Sequence, residues 1–112
     1  MAKTKNDNLQ GSLALLVLKS LEQGPMHGWG ITLHIQQTSN EILRVEEGSL
    51  YPALHRMEQE RLIASVWGVS ENNRRARFYR LTALGRKQLK TEQENWRKIT
   101  DGVALVLNFE ST

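Results

Sequence analysis

Four arginines, Arg74, Arg75, Arg77 and Arg80, crowd one short stretch of this chain. A guanidinium is permanently charged and presents a planar fork of donors, which suits it to phosphate oxygens and to the edge of guanine. A second group of side chains lies upstream: Ser49, Tyr51, His55 and Arg56. These offer hydroxyls, an imidazole and another guanidinium, the equipment for hydrogen bonding to a nucleic acid. Bond-breaking chemistry has no comparable set. The chain has no cysteine, and so neither a disulfide framework nor a thiolate. His27 and His34 are seven residues apart with no third ligand in step, which does not make a metal site. Gly28-Trp29-Gly30 follows no expected strand and lacks the third glycine of a nucleotide fingerprint. No paired-carboxylate motif is present, so binding is expected rather than catalysis, with no cofactor and no metal. The net charge of +3 agrees with an acidic partner.

The elements that would position these groups follow from the hydrophobic pattern. The 112 residues are enough for one domain with a modest core. Residues 1–8 are polar and carry Lys3 and Lys5, which reads as a flexible basic end. Residues 9–23 read as a first helix, apolar on most of its circumference, closed by Gly24-Pro25. Such a helix needs cover on more than one side, so Leu13 and Leu16 are assigned to a subunit interface as well as to the domain. Residues 27–38 read as a second helix with Ile31 and Ile35 inward. His27 opens it. Residues 42–45 read as a short strand. Pro52 then implies a helix starting near Gly48 or Ser49, because proline is tolerated in a first turn. Ser49 would be its N-cap, and it would run to about Arg61. Leu50, Leu54 and Met57 form its apolar stripe at i, i+4, i+7.

Residues 62–69 and 76–81 read as two strands joined by a polar tip, with Asn72-Asn73 suited to left-handed backbone. Thr82 reads as the N-cap of a last helix reaching about Asn108. In that helix Leu89, Trp96 and Val103 are spaced by sevens, with Ile99 and Val106 beside them and Glu92 interrupting. A seam of that kind calls for a partner. The longest apolar run, Leu13 to Leu18, is far too short to span a bilayer. The expected compartment is the cytoplasm, with no membrane partner.

Three motifs in order carry a family resemblance. Glu47-Gly48-Ser49-Leu50-Tyr51-Pro52-Ala53-Leu54-His55-Arg56-Met57-Glu58 resembles the recognition-helix signature of the PadR-like transcriptional regulators. Gly24 to Ile31 resembles that family's second-helix opening, and Arg77 to Gly85 its third strand and the start of its last helix. The length resembles the short branch, with a single C-terminal helix. The tip departs from the common Gly-Arg-Pro-Arg-Lys pattern, being longer and without proline, so only the location of the wing carries over.

The expected fold is mainly α with a small β-wing. It comprises a winged helix-turn-helix domain over residues 9–82, a dimerisation helix over 83–108 and a tail at 109–112. The expected function is a sequence-specific, DNA-binding transcriptional regulator, acting as a homodimer on a two-fold related operator. The alternative is a protein–protein adaptor on the same fold, since fold alone does not fix function. Ser49 and Tyr51 would bond phosphates, while Pro52, His55 and Arg56 would face base edges. Asn73, Arg74, Arg75 and Arg77 would grip the flanking backbone or minor groove. Leu13, Leu16, Leu89, Trp96, Ile99, Val103 and Val106 would form the dimer interface. The resemblance further implies repression, and a flat aromatic effector held at Trp96 that releases DNA.

Overall fold

A computed structural model describes residues 12–110. The basic end at 1–8 and the expected start of the first helix at Leu9 lie outside the described residues. Four helices and three strands are present among them. They are α1 (Leu13–Leu21), β1 (Met26–His27), α2 (Gly28–Thr38), α3 (Glu47–Gln59), β2 (Ile63–Val69), β3 (Arg75–Leu81) and α4 (Ala83–Leu107).

Helix α1 is the hub. Val17 and Leu18 are fully buried, and Leu13 and Leu21 nearly so. It touches α2, α3, α4 and β3. Ile31 and Ile35 of α2 and Leu50, Ala53, Leu54 and Met57 of α3 close on it, with Ile63, Tyr79 and Leu81 of the sheet and Leu89 of α4. Leu13 and Leu89, expected at a subunit interface, are therefore already covered within the chain, at 5% and 2% exposure. Leu16 is partly buried against the same core. The reason is size: a helix that is apolar nearly all round can be wrapped by a small domain when three other helices and a strand converge on it.

The sheet is antiparallel in the order β1-β3-β2. The long pairing runs from Ile63↔Leu81 to Val69↔Arg75, and β1 adds Met26↔Tyr79 and His27↔Phe78 on the other edge. That third strand was not expected, because two residues carry no periodicity. It means that a strand does precede Gly28-Trp29-Gly30, although the third glycine is still missing. The strand expected at 42–45 is absent. Helix α2 ends in a Schellman turn with Asn40 at a left-handed φ of 54°. Ile42 N–H then donates to the Ser39 carbonyl, and Leu43 N–H donates to the Ser39 hydroxyl. The backbone donors a ladder would need are spent on the helix end.

Helix α3 also starts earlier than expected. Its N-cap is Glu46, so Ser49 stands inside the first turn rather than capping it, and Pro52 falls in the second turn. The missing proline N–H leaves the Gly48 carbonyl without its intrahelical donor. Gly48 is exposed, so water can serve there. The helix ends at Gln59 in a Schellman turn. Arg61 N–H donates to the Glu58 carbonyl and Leu62 N–H to the Met57 carbonyl, each at 3.0 Å. Arg61 takes the left-handed position, at φ 64°, that glycine usually fills.

Thr82 joins the parts. As expected it caps α4, its hydroxyl accepting from Gly85 N–H at 3.0 Å. The same hydroxyl donates to the Arg61 carbonyl at 2.7 Å, and Thr82 N–H donates to the Leu62 carbonyl at 3.1 Å. Gly85 lies so close that an added Cβ would collide with the Leu62 carbonyl oxygen and sit 2.9 Å from Leu81 Cδ1. Beyond Leu89 and the half-buried Glu92, α4 leaves the domain, and every described residue from 93 onward is exposed. The molecule is accordingly 62 Å long and 21 Å thin.

Two glycines in one helix should thus respond with opposite sign. Gly102→Ala, where an added Cβ meets nothing within 4 Å, should raise stability by up to about 1 kcal/mol. Gly85→Ala should lower it by about 1–3 kcal/mol through overpacking. Thermal unfolding of the two proteins checks this; equal shifts would contradict the close approach at Gly85.

Candidate nucleic-acid interface

One side of α3 is spent on the core, and the residues between the buried positions face out. Tyr51, Pro52, His55, Arg56 and Gln59 are all exposed. Ser49 is half-buried. The start of the helix carries Glu46 and Glu47. Carboxylates favour the positive end of a helix dipole, and they also make it a poor seat for phosphate. The groups of α3 suited to DNA are therefore its polar side chains rather than the backbone N–H groups at its N-terminus.

Tyr51 is 45% exposed and lies across the start of α2. A Cβ on Gly28 would collide with the Tyr51 hydroxyl and come within 2.8 Å of the ring. A side chain there would displace the phenol from this position. Tyr51 thus borders two grooves. One, of about 430 Å³, runs between α3 and the sheet, with His55, Glu58, Gln59, Arg77 and Tyr79 in its walls. The other, of about 670 Å³, lies between the start of α2 and the wing, and Trp29, Trp67, Arg74, Arg75 and Arg77 line it. Burial pushes the Tyr79 phenol above its usual range, against a weaker pull from Arg77. It stays a neutral group at the floor of both grooves.

The wing is the β2–β3 hairpin. Its tip turns where Asn73 adopts φ 61°, with Asn73 N–H donating to the Ser70 carbonyl at 2.9 Å and Ser70 N–H to the Arg74 carbonyl at 2.8 Å. Arg74, Arg75 and Arg77 are exposed. The pairing of Trp67 with Arg77, and of Val69 with Arg75, puts these side chains on one face of the hairpin. There the Arg75 guanidinium lies 4.6 Å from the centre of the Trp67 ring and that of Arg77 5.4 Å. Cations at this distance are held by the ring's quadrupole. Arg77 is held a second way: its Nε donates to the Ser65 hydroxyl at 2.9 Å.

At the wing tip, Glu71 meets His27 Nε2 at 3.2 Å. The other ring nitrogen of His27 accepts from Gly30 N–H at 3.0 Å, capping α2. The Glu71 carboxyl is held below its ordinary range, first by a backbone hydrogen bond and then by the His27 side chain. The tip is thereby tied to the beginning of α2.

The structure brings Tyr51, His55 and Arg77 together around one groove and Arg74 and Arg75 around its neighbour. Pro52 and Arg56 stand on the outer face of α3. Asn73 turns the tip. Trp67, Trp29, His27 and Glu71 border the same surface and were not picked out from the sequence as site residues. Trp67 carried a usable signal: a hairpin turning through 70–74 sets it opposite Arg77. Trp29, His27 and Glu71 carried none, since they come from separate parts of the chain. The interface residues Trp96, Ile99, Val103 and Val106 lie far along α4, each 48–76% exposed. No group of His, Asp and Glu among the described residues is arranged to hold a metal. No helix among them is long and apolar enough to cross a membrane.

Comparison with known proteins agrees with this geometry. A transcriptional regulator from Mycobacterium tuberculosis is 35% identical over 80 residues, which span 71% of each chain. The structure of a transcriptional regulator from Clostridium thermocellum superposes with a TM-score of 0.79, is 28% identical, and covers 88% of this chain and 95% of its own. A PadR-like transcriptional regulator from Bacillus cereus gives a TM-score of 0.77 at 27% identity, covering 91% and 97%. The profile of the transcriptional regulator PadR-like family matches residues 17–91. With two thirds of its length matched and a winged helix carrying arginines at the place described, the chain belongs to the PadR-like family of transcriptional regulators, which are DNA-binding proteins and not enzymes.

Proposed function

We propose that the protein is a repressor that binds a two-fold related operator as a homodimer. Each protomer would set α3 in a major groove and lay its wing along the flanking backbone. The observation that carries the reading is that exposed residues of α3 and the exposed arginines of the wing line two adjoining grooves that share Tyr51 and Arg77. Pro52, His55 and Arg56 then face base edges, with Arg56 able to select guanine. Tyr51 and Ser49 bond phosphates and fix register. Arg74 and Arg75 supply charge at the wing, with Asn73 at its turn. Two such helices would meet half-sites about 34–36 Å apart, or a multiple of that.

The second copy is supported by α4. Trp96, Ile99, Val103 and Val106 follow one stripe of the helix and are all uncovered in the single chain. An exposed apolar stripe of that length marks an interaction surface. Leu16, half-buried on α1, would extend the contact. The domain and its partner then hold Trp96 near the two-fold axis, where a flat aromatic effector could stack and loosen DNA.

Three measurements test this. Fluorescence anisotropy with a duplex from upstream of its own gene should show binding that exceeds binding to a scrambled duplex at raised salt. In that assay Arg74→Ala/Arg75→Ala should flatten the slope of log K against log salt, by about 0.9 for each phosphate no longer neutralised; an unchanged slope removes the wing from the interface. In sedimentation, Val103→Glu should turn a dimer into a monomer without unfolding the domain, and a dimer that survives would place the subunit contact elsewhere. Planar aromatic compounds should quench tryptophan fluorescence in the natural protein and not in Trp96→Leu. Quenching that persists in the variant would exclude Trp96 as the effector site.

A further inference from the structure

Arg77 differs from its neighbours on the wing. Arg74 and Arg75 lie at the tip end of the hairpin, whereas Arg77 stands further down, opposite Trp67. One of its donors is turned toward the protein, in a side chain that is 46% exposed. Nε donates to the Ser65 hydroxyl at 2.9 Å, and Ser65 in turn donates to Glu58 Oε2 at 2.6 Å. The terminal Nη2 stands 3.7 Å from that same carboxylate oxygen. Trp67 covers its face. Glu58 belongs to α3, Ser65 to β2 and Arg77 to β3. The chain of contacts therefore crosses from the DNA-facing helix to both strands of the wing.

This placement is a poor one for gripping phosphate directly. A guanidinium whose Nε is spent on Ser65 and whose charge stands near a carboxylate has less to offer a phosphate than one facing solvent. It is a good placement for a brace. Glu58 lies on the turn of α3 that follows His55, next to the last residue of the helix, Gln59. Fixing it to the hairpin fixes the angle between α3 and the wing. That angle decides whether the two can reach adjacent grooves of one duplex.

We infer that Glu58, Ser65 and Arg77 form a positioning brace that holds the wing at its working angle to α3, and that Arg77 acts through this brace rather than as a phosphate contact. The inference rests on the DNA-binding reading above. It reverses the role of Arg77 expected from the sequence, and it gives Glu58 a positive role on a surface where a carboxylate would otherwise only repel DNA.

The sign of one substitution separates the two roles. If Arg77 grips phosphate, Glu58→Gln removes a competing negative charge and frees the guanidinium, so DNA affinity should rise or stay level. If the three residues brace the wing, Glu58→Gln weakens binding, by roughly three- to tenfold for the loss of one charge-assisted link. Affinity is to be measured by anisotropy on the duplex from upstream of the protein's own gene, with a random duplex of equal length as reference. Concentrations are to be corrected for the folded fraction by circular dichroism, so that a general loss of stability does not mimic the effect. Ser65→Ala should weaken binding in the same direction. In an Arg77→Ala background Glu58→Gln should cost less, because only the Ser65 link to Glu58 then remains, whereas in an Arg75→Ala background its cost should remain in full. Glu58→Gln protein that binds as tightly as the natural protein, or more tightly, overturns the brace while leaving the regulator reading intact, as does a cost that is undiminished without Arg77. Natural protein that holds neither duplex at low salt overturns the regulator reading itself, and the brace with it.

Discussion

Two neighbouring carbonyls, those of Arg61 and Leu62, are where this protein is fastened together. The chain reaches them as α3 ends in a left-handed turn and leaves them as β2. Thr82 then returns to the same place, its hydroxyl on one carbonyl and its N–H on the other. Gly85 brings the first turn of α4 against the Leu62 oxygen with no room for a methyl group. Helix α3, the wing and the long helix thus share one small junction. A threonine that caps one helix while bonding to the chain just past the end of another satisfies several polar groups at once at a crowded point. The directions of α3 and α4 are consequently not independent; if two copies meet along α4 as proposed, a change in that contact would be passed to α3 through backbone rather than through a flexible linker.

The side that carries the outer face of α3 and the wing is organised by a different kind of contact. Within the wing, Arg75 and Arg77 are held by an aromatic ring, and Arg77 also by a hydroxyl, rather than left to wave in solvent. Trp67 collects Arg75 and Arg77 on its face, and the tip is tied back to α2 through Glu71 and His27. An arginine ordered in advance loses less side-chain freedom when it binds. The compact placement of Tyr51 over Gly28 does the same for the near end of α3. These contacts are long in sequence and short in space, which is why they leave no trace in periodicity.

Much of the architecture was nonetheless legible. Apolar spacing identified the four helices and the hairpin, and Thr82 announced the start of α4. The motif from Glu47 to Glu58, with those at Gly24–Ile31 and Arg77–Gly85, was enough for the family. What failed had local physical causes. Pro52 suggested a helix beginning at Gly48 or Ser49, but an exposed glycine carbonyl lets the helix carry the proline one turn later. The segment 42–45 has strand-forming residues, yet the N–H groups of Ile42 and Leu43 are captured by Ser39. Strand β1 exists only because β3 has a free edge there. Leu13 and Leu89 have the spacing of interface residues, and spacing does not tell which of two apolar surroundings a side chain will find. The site divides along the same line: the exposed face of α3 follows from the stripe opposite it, whereas Trp67, Ser65 and Glu58 become partners only once the hairpin register is set.

The length of α4 has a further consequence. Among the described residues, its half beyond Glu92 is exposed throughout. A helix segment of that length is marginal in water by itself. The order of this half therefore depends on what covers its apolar stripe, and if that cover is a second copy, order is tied to how much protein is present. Dilution would then act as a denaturant of the distal helix alone, and the abundance of the protein in the cell would set not only how many molecules are available but what fraction of each is folded.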